Sequence, residues 1–250
     1  MRLEKKKALI TGSSRGLGKQ IALDFAKEGA DVCINYKSNR EAAETVKKEI
    51  EAIGGKAVIF QADVSVAEQA EALVDFAIKE LGRIDILVNN VGMLKECSIF
   101  DMTPEIWDEM HAVTLRSTVL VTRFAVNHMI GNGWGRIINI ASSFSLPGTA
   151  GGFSHYGSAK SAIIGFTRSI GRELAPKNIL VNCIAPGALN TDSYNNLKKE
   201  TKDMILKVAP MKKVAEPFQI SPTSVMLASD PEGSTYVGQV LSPNCGYYIG

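Results

Sequence analysis

The sequence has few of the residues that usually bind metals or form disulfide bonds. Only four cysteines and three histidines occur among the 250 residues. The cysteines are far apart and form no C-x-x-C pair, and the histidines show no ligand spacing, so we predict neither a metal site nor a disulfide framework. Cys33 and Cys183 lie in apolar runs and are expected in the core. His155 is also expected to be structural, although its neighbour Tyr156 leaves another role open.

Strong net charge and long apolar segments are lacking as well. The 28 basic and 26 acidic residues leave a formal net charge of +2, which gives no reason to expect a nucleic-acid-binding protein. No apolar run approaches the ~18 residues of a membrane span, and the N-terminal MRLEKKK contains no signal-peptide core. We therefore expect a cytoplasmic protein that associates with neither nucleic acid nor membrane.

The sequence does contain a regular alternation of short apolar runs with longer amphipathic segments. The runs predict strands at 8–11, 31–36, 56–61, 84–89, 136–140, 179–184 and 239–241. The longer segments predict helices at 16–28, 40–53, 66–81, 104–130, 156–174 and 218–228. This alternation is typical of right-handed βαβ crossovers, so we predict an α/β fold in which one domain, residues 1–250, forms a doubly wound parallel sheet with helices on both faces.

A glycine-rich loop joins the first predicted strand to the first predicted helix. Gly12, Gly16 and Gly18 have the spacing Gly-x-x-x-Gly-x-Gly, which differs from the commoner dinucleotide fingerprint Gly-x-Gly-x-x-Gly. Glycines permit a tight turn and the close approach of a pyrophosphate, which then faces the positive end of the helix. The position of this loop between strand and helix predicts dinucleotide binding.

The end of the second predicted strand indicates which dinucleotide is preferred. An acidic residue there would accept a hydrogen bond from the ribose of NAD and repel the 2′-phosphate of NADP. The sequence instead has Tyr36 and Lys37, and Arg15 can approach from the glycine loop. We therefore predict NADPH over NADH, with the alternative that Lys37 and Arg40 are only solvated surface charges.

The other strands also end in polar or small residues. These are Asp63 and Val64 after the third strand, Asn89, Asn90 and Gly92 at the fourth, Ser142 and Ser143 at the fifth, and 186–191 after the sixth. Ligands of open α/β sheets bind beyond the carboxyl ends of the strands. We therefore expect these residues along one cofactor crevice.

Tyr156 and Lys160 are four residues apart at the start of a predicted helix, so their side chains should share one face. A nearby cation favours the phenolate and lowers the pKa of a tyrosine, which can then act as a general acid or base. Taken alone the pair is weak evidence, because a core tyrosine beside a solvated lysine is common.

Together these motifs resemble the short-chain dehydrogenase/reductase family over essentially the whole chain. The matching residues are Thr11, Gly12, Gly16, Gly18, Asp63, Asn89, Asn90, Gly92, Ser142, Tyr156, Lys160, Pro186 and Gly187, in the order of the family. The resemblance implies a Rossmann-type sheet of seven parallel strands and a nicotinamide cofactor. It also implies a homotetramer that packs through the helices at 104–130 and 156–174.

The resemblance further implies a role for each site residue. Tyr156 would exchange a proton with the substrate oxygen during hydride transfer, Lys160 would lower the pKa of Tyr156 and hold the nicotinamide ribose, and Ser142, or alternatively Ser143, would bind the developing alkoxide. The expected cofactor-binding residues are Gly12, Ser14, Arg15, Gly16, Leu17, Gly18, Tyr36, Lys37, Ser38, Asp63, Val64, Asn90, Gly92, Tyr156, Lys160, Pro186, Gly187, Leu189 and Thr191.

Three positions depart from the family pattern. Thr114 stands where the family often has an asparagine that shapes a water relay to Lys160, so we predict slower proton delivery and an unchanged reaction type. Val91 replaces a usual alanine and is expected to crowd the crevice. Asn244-Cys245-Gly246 replaces a common Asp-Gly-Gly, which affects the prediction of subunit packing.

The substrate is expected to bind between the loop after Gly92, the loop at 144–153 and a lid at about 190–213. Apolar side chains in these segments predict a moderately apolar pocket; they are Met93, Leu94, Phe144, Leu146, Phe153, Tyr194, Met204 and Met211. The lid also has six lysines, which either attract a phosphorylated or carrier-bound substrate or form a solvated helix face.

Three functions are compatible with these features. The first is an NADPH-dependent ketoreductase that acts on 3-oxoacyl thioesters, although the basic positions of carrier-binding reductases are only half matched, by Gly133 and Lys177. The second is a sugar or small-alcohol dehydrogenase of the same family. The third is a cofactor-binding scaffold or sensor with little turnover, suggested by Thr114 and opposed by Ser142, Tyr156 and Lys160.

Overall fold

The protein is described from a computed structural model that covers residues 1–148 and 151–249. Seven parallel strands form a single sheet in the order β3-β2-β1-β4-β5-β6-β7. They are β1 Lys7–Ile10, β2 Asp31–Tyr36, β3 Ala57–Gln61, β4 Ile86–Asn89, β5 Gly135–Ile140, β6 Ile179–Ile184 and β7 Val240–Leu241. The predicted Rossmann-type sheet is therefore confirmed, and the largest error in a strand is at β4, which begins at Ile86 rather than 84.

Nine α-helices connect and cover the strands within these residues. They are α1 Gly16–Lys27, α2 Arg40–Ala52, α3 Ala67–Leu81, α4 Pro104–His111, α5 Ser117–Asn132, α6 Ser154–Leu174, α7 Asp192–Asn195, α8 Lys199–Val208 and α9 Pro217–Ala228. Helices α7 and α8 lie within residues 190–213, the segment predicted to be a substrate lid. No helix in the described part of the chain is both long enough and apolar enough to cross a membrane.

The two faces of the sheet are buried by different helices. Helices α1, α2 and α9 pack on one face around Ile21 and Val225, while α3, α5 and α6 pack on the other around Leu73 and Val121. A sheet covered on both faces needs strands that are apolar throughout, and this is why the strands read as continuous apolar runs in the sequence.

The segment predicted as one helix at 104–130 contains an interruption. Residues Ala112–Arg116 form one turn of π-helix between α4 and α5, and Thr114 lies at its centre. Such turns are frequent at functional sites. The sequence gives no periodic signal for it, because the apolar pattern continues through the turn.

A buried polar cluster lies at the amino end of β5. The Arg136 side chain is 2% exposed, and its Nη2 donates to Oδ1 of Asp230 at 2.7 Å. The indole of Trp134 lies beneath the guanidinium of Arg136 at 4.3 Å, and the ammonium of Lys6 lies 3.4 Å from the same ring. These cation-π contacts stabilise the edge of the sheet opposite to the strand ends predicted to bind the cofactor.

The strand order reverses between β1 and β4, because the chain builds β2 and β3 on one side of β1 and the remaining strands on the other. The connections therefore diverge at this point and leave a crevice beyond the carboxyl ends of the two strands. The predicted site residues that follow β1 and β4 are thereby brought next to each other.

Candidate active site

A cleft of about 560 Å³ occupies this crevice and extends to the lid helices. Most of the predicted site residues line it: Gly12, Ser14, Arg15, Gly16, Leu17, Tyr36, Lys37, Ser38, Asn90, Gly92, Ser142, Tyr156, Lys160, Pro186, Gly187, Leu189 and Thr191. Four predicted residues do not line it, namely Gly18, Asp63, Val64 and Thr114. The cleft thus brings together residues from five different strand ends.

The glycine loop between β1 and α1 has the geometry of an anion-binding turn. Gly12 and Gly16 have φ angles of 60° and 57°, in the left-handed region that favours glycine. Arg15 precedes α1 and makes no side-chain cap to it, and the first turn of α1 contains no acidic residue. The first amide groups of α1 are therefore available to an anion such as a pyrophosphate, and the loop fits a dinucleotide.

Asn90 binds the backbone of the glycine loop, and Gly18 lets this loop pack closely on α1. The Asn90 side-chain amide donates to the carbonyl oxygens of Thr11 and Gly12 at 3.0 and 3.1 Å. A Cβ at Gly18 would lie 2.5 Å from Nδ2 of Asn90 and 2.6 Å from the Gly12 oxygen. Gly18 therefore lacks a side chain because the loop packs directly on α1, and its contact with the cofactor stays a prediction.

Both cations predicted to select NADPH form ion pairs at the mouth of the cleft. Lys37 Nζ lies 2.8 Å from Oδ2 of Asp63, and Arg15 Nη1 lies 3.2 Å from Oδ2 of Asp192 at the start of α7. Lys37 remains 68% exposed, so its ammonium is accessible from the cleft.

Asp63 and Val64 are predicted to hold the adenine. In the structure the Asp63 side chain binds Lys37 and Ser65, and the Val64 side chain packs in the core. Burial raises the pKa of Asp63, but hydrogen bonds from Lys37 and Ser65 outweigh it and hold the pKa below its usual value. Ser65 donates to the Asp63 carboxylate from both its hydroxyl, at 2.6 Å, and its amide, at 3.1 Å. The Val64 side chain is buried in the core on the α3 face of the sheet. A contact of either side chain with the cofactor remains a prediction.

Lys160 is buried against the end of β5. Its Nζ donates to the carbonyl oxygen of Ile140 at 2.6 Å, and only 3% of the residue is exposed. Burial lowers the pKa of Lys160 to about 8. A Cβ at Gly92 would lie 3.0 Å from this Nζ, so the glycine after β4 leaves space for the ammonium.

Tyr156 lines the cleft one helical turn before Lys160. Burial raises the pKa of the Tyr156 phenol, and a hydrogen bond with Ser142 opposes this shift. The sequence led us to expect a lowered pKa caused by Lys160. The direction is opposite in this structure, because desolvation dominates and the ammonium of Lys160 is engaged by the backbone of β5.

The structure distinguishes the two candidate serines after β5. Ser142 lines the cleft, and its Oγ accepts from the amide of Phe144 at 3.2 Å, so its proton can be donated to Tyr156 or to a ligand. Ser143 is 1% exposed, and its buried hydroxyl has no hydrogen-bond partner among the described residues. Ser142 is therefore the serine that can reach a ligand.

A chain of polar side chains fixes α6 to the sheet below the site. The Asn89 amide donates to Oδ1 of Asn139 at 2.8 Å, and the Asn139 amide donates to the hydroxyl of Thr167 at 2.9 Å. All three residues are buried. These bonds set the position of the helix that carries Tyr156 and Lys160, and thereby the geometry of the pair.

Thr114 does not reach the cleft. It is fully buried in the π-helical turn, where its hydroxyl accepts from the Met93 amide and donates to the Met110 sulfur, both at 3.5 Å. The Thr114 carbonyl oxygen accepts from the Thr118 hydroxyl at 3.2 Å. The hydroxyl oxygen thus keeps one acceptor lone pair, and the effect of Thr114 on proton delivery stays a prediction.

Comparison with known proteins decides the family. A family model described as short chain dehydrogenase matches residues 6–202. The chain belongs to the short-chain dehydrogenase/reductase family. It is accordingly an NAD(P)-dependent oxidoreductase that acts on small molecules.

Curated relatives of this short-chain dehydrogenase cover nearly its full length. A 3-oxoacyl-[acyl-carrier-protein] reductase from Synechocystis sp. is 36% identical over 96% of this chain and 95% of the relative. A reductase of the same name, FabG, from Staphylococcus epidermidis is 34% identical over 98% of this chain and 99% of the relative.

Solved structures of family members agree with the fold. A short-chain dehydrogenase from Burkholderia cenocepacia in complex with NADP matches with a TM-score of 0.93 and 31% identity, covering 99% of both chains. A 7α-hydroxysteroid dehydrogenase complexed with NADH and 7-oxo glycochenodeoxycholic acid matches with a TM-score of 0.92 and 34% identity, covering 98% of this chain and 95% of that chain.

The substrate end of this short-chain dehydrogenase is mostly apolar. Of the predicted wall residues, Met93, Leu94, Phe144 and Tyr194 line the cleft. The other four predicted wall residues do not line it, namely Leu146, Phe153, Met204 and Met211. Leu146 lines a different cavity, and Met211 is 57% exposed. Residues 149 and 150 of the predicted substrate loop lie outside the described residues.

Sequence reasoning missed several wall residues, namely Val113, Ala188, Leu197 and Ile205. Leu197 and Ile205 pack with Phe144 and Phe153 in one buried cluster. Ile205 and Thr201 are the two buried residues of α8 and lie four positions apart. This spacing is the signal of an amphipathic helix, and it could have identified the inner face of the lid.

His155 precedes Tyr156 but does not line the cleft. It is fully buried, and neither ring nitrogen has a hydrogen-bond partner among the described residues. Burial lowers the pKa of His155, and electrostatic repulsion from His111 and Lys95 lowers it further.

Proposed function

We propose that the protein is an NADPH-dependent ketoreductase in which Tyr156 is the proton donor. The observation that carries the proposal is the arrangement of one cleft, which has the glycine loop at one end and Ser142, Tyr156 and Lys160 at the other. A bound nicotinamide would supply the hydride.

The cofactor would be held by residues of the glycine loop and the strand ends. The amide groups that begin α1 would bind the pyrophosphate, while Lys37, Ser38 and Arg15 would face the phosphate on the adenosine ribose. The absence of an acidic residue at the end of β2 supports NADPH over NADH.

Reduction of a ketone adds one hydride to the carbonyl carbon and one proton to the oxygen. The Tyr156 hydroxyl would donate that proton, and the Ser142 hydroxyl, whose oxygen already accepts from Phe144, would donate a hydrogen bond to the same oxygen. The phenolate left on Tyr156 would be stabilised by the ammonium of Lys160, one turn away on α6.

The apolar substrate walls support a 3-oxoacyl thioester as substrate, in agreement with the names of the curated relatives. They disfavour a sugar, whose hydroxyl groups would face Met93, Leu94 and Leu197 without partners. The solved relative that binds a 7-oxo bile acid makes a rigid polycyclic ketone the second candidate.

We propose residues 190–213 as the substrate lid. The inner face of α8 closes the cleft with Ile205, and Thr201 ties this helix to the loop after β4 by donating to Oε1 of Glu96 at 2.7 Å. Lys198 pairs with the same carboxylate at 3.6 Å, and Lys202 donates to the Asn195 carbonyl at 2.5 Å. These lysines have partners within the protein, which favours the structural role of the basic lid over the attraction of a carrier.

A homotetramer and a cytoplasmic location also stay proposals. The indole of Trp107 on α4 is 39% exposed and stacks on His111, which supports a partner at this helix. Light scattering on the purified protein measures the assembly, and a monomeric mass would reject the tetramer.

The test of the proposed function is the Tyr156→Phe variant, assayed by the loss of NADPH absorbance with 3-oxoacyl thioesters, a 7-oxo steroid and ketose sugars. We expect a loss of roughly 10³-fold in kcat, with NADPH binding retained, because the proton donor is removed and the ring is kept. Activity near that of the parent would rule out the assignment. Ser143→Ala is the matched control and should keep most of the activity.

A further inference from the structure

Residues 244–247 form a tight turn after β7, which we call the C-terminal turn. The Tyr247 amide donates to the Asn244 carbonyl oxygen at 3.1 Å, and the two central residues, Cys245 and Gly246, have φ angles of 57° and 84°. Positive φ at both central positions is the conformation of a type I′ turn, and it costs free energy at a residue that has a side chain. Cys245 is therefore strained, and the surrounding structure must hold the turn in place.

The buried side chain of Asn244 holds the C-terminal turn with hydrogen bonds on both of its polar atoms. Its Oδ1 accepts from the amides of Gly246 and Tyr248 at 2.8 and 3.4 Å. Its Nδ2 donates to Ser242 Oγ at 2.8 Å and to the Tyr248 carbonyl at 2.9 Å, while Ser242 gives its own proton to the Ala185 carbonyl. Both partners of Nδ2 are thus acceptors, so the asparagine makes two bonds that an aspartate could not make.

The C-terminal turn packs directly on two segments at the border of the catalytic cleft. A Cβ at Gly187, which lines the cleft, would lie 2.8 Å from Cα of Asn244. A Cβ at Gly246 would lie 3.0 Å from the ring of Pro210, which belongs to the proposed lid. The turn is therefore fixed between the segment that follows β6 and the end of the lid.

This turn places the Tyr247 ring against the substrate wall. The ring packs on that of Phe144 with centroids 5.3 Å apart and an angle of 32° between the planes. Phe144 lines the cleft, whereas Tyr247 lies outside it. The Phe144 ring also lies edge-on to that of Tyr156, with centroids 6.2 Å apart. Tyr247 therefore supports, from outside the cleft, a wall residue that is next to the proposed proton donor.

The contact between the two rings limits the width of the substrate site. Side chains in a packed protein interior move only where there is space, and Tyr247 occupies the space into which Phe144 could withdraw from the cleft. We propose that Tyr247 is a specificity-determining residue that acts through Phe144, and that Asn244 positions it. The inference rests on the proposed function, since it concerns the ketone that this function assigns to the cleft.

The experiment compares the binding of two ketones of different width to the full chain saturated with NADP⁺. They are 7-oxo glycochenodeoxycholic acid and the 3-oxohexanoyl thioester of N-acetylcysteamine, and titration calorimetry measures both affinities without turnover. Tyr247→Ala should raise the affinity for the steroid relative to the thioester about fivefold, because Phe144 can move into the space that the ring leaves. The ratio of kcat/KM for the two ketones with NADPH should shift in the same direction.

Three further variants separate positioning from a general loss of structure. Tyr247→Phe keeps the ring and should retain the affinity ratio of the parent. Asn244→Asp keeps the size of the side chain but replaces the donors of Nδ2, so it should shift the ratio in the same direction as Tyr247→Ala. Tyr248→Ala removes a ring at the next residue, which lies outside the cleft, and is the control that should keep the ratio of the parent.

An unchanged ratio in Tyr247→Ala would overturn the inference. An equal loss of affinity for both ketones would also overturn it, since that is the result expected of a purely structural residue. Tyr247→Leu takes the place of the alanine variant if the latter does not fold, and it should give a smaller shift in the same direction. A parent protein that binds both ketones and reduces neither would reject the proposed function alone, whereas one that binds neither ketone would reject both proposals.

Discussion

Lys37 is the residue on which the cofactor preference depends most directly. Its ammonium pairs with Asp63 at 2.8 Å and is largely exposed at the mouth of the cleft. We expect Lys37→Ala, alone and with Arg15→Ala, to raise the Kd for NADPH by about tenfold or more and to leave the Kd for NADH almost unchanged. Fluorescence titration of each dinucleotide measures both constants.

Arg40 is the matched control for this prediction, because it is also a cation after β2 but pairs with Glu44 on its own helix, at 3.5 Å, and does not line the cleft in the described residues. Arg40→Ala should leave both constants near those of the parent. If Lys37→Ala weakened NADPH and NADH equally, the lysine would be a general contact and the predicted selectivity would be lost.

The buried ammonium of Lys160 gives stability a defined pH dependence. Its pKa in the folded state is about 8, below the ordinary lysine value of 10.5, because burial disfavours the charged form. Between these values the unfolded state binds more protons than the folded state, so the contribution of Lys160 to stability rises as pH increases. Below pH ~8 Lys160 is charged in both states, and the folded state is destabilised by the full free energy of burying its ammonium.

We therefore compare the parent with Lys160→Met by urea unfolding between pH about 8 and 10. The stability of the parent relative to the variant should increase by up to about 2 kcal/mol across this range. Lys79→Met, at an exposed position on α3, is the control and should show a constant difference. A decrease with rising pH would contradict the assigned direction.

At the residue scale, the positions of the side chains in the cleft could be predicted from the sequence more accurately than their pKa values and hydrogen bonds. Ser142, Tyr156 and Lys160 all line it, because strand ends and helix spacing fix their positions. The pKa of Tyr156 could not be predicted, since it depends on burial and on the carbonyl of Ile140 that holds Lys160. For the same reason the interior position of the Thr114 hydroxyl gave no signal in the sequence.

At the scale of elements, the junction between the glycine loop and α1 has no space for a side chain at Gly18, in the first turn of the helix. A Cβ at Gly18 would overlap Nδ2 of Asn90 and the carbonyl oxygen of Gly12, at 2.5 and 2.6 Å. We expect Gly18→Ala to lower the free energy of unfolding by about 2 kcal/mol and to weaken dinucleotide binding, because the loop must move. Denaturant unfolding and fluorescence titration measure the two effects.

Gly165→Ala in α6 is the control for the same substitution. A Cβ there would meet nothing within 4 Å, so alanine should stabilise the helix by up to ~1 kcal/mol. If Gly18→Ala were as stable as this control, the loop would not be packed as described.

Strands and long helices could be predicted from the sequence because their periodicity reflects burial on one or both faces. The π-helical turn at Ala112–Arg116 and the short helix α7 could not. A single π turn and a helix of one turn are both too short to show a period of their own. The inner face of α8 could have been predicted from the spacing of Thr201 and Ile205.

In the whole molecule, the cleft with the proposed catalytic residues and the cluster around Arg136 that stabilises the fold lie at opposite edges of the sheet. The cleft lies at the carboxyl ends of the strands, and the cluster of Lys6, Trp134, Arg136 and Asp230 lies at the amino end of β5. Asp230→Ala would leave the buried guanidinium of Arg136 without its carboxylate. We expect a loss of about 2 kcal/mol in unfolding free energy, below the ~3–5 kcal/mol of a fully buried pair because Asp230 is half exposed.

The activity of the folded Asp230→Ala protein should equal that of the parent, since the substitution is far from the cleft along the strands. Glu44→Ala, which removes the exposed pair with Arg40, is the control and should cost no more than about 0.5 kcal/mol. A fall in kcat without a fall in stability would show that the two edges are not independent.

The C-terminal segment packs on the wall of the cleft. The Tyr247 ring lies on Phe144 with centroids 5.3 Å apart. An affinity tag fused behind Gly250 would begin only three residues after this contact. Recombinant protein for ligand measurements is better tagged at the other terminus, where Met1 is 83% exposed.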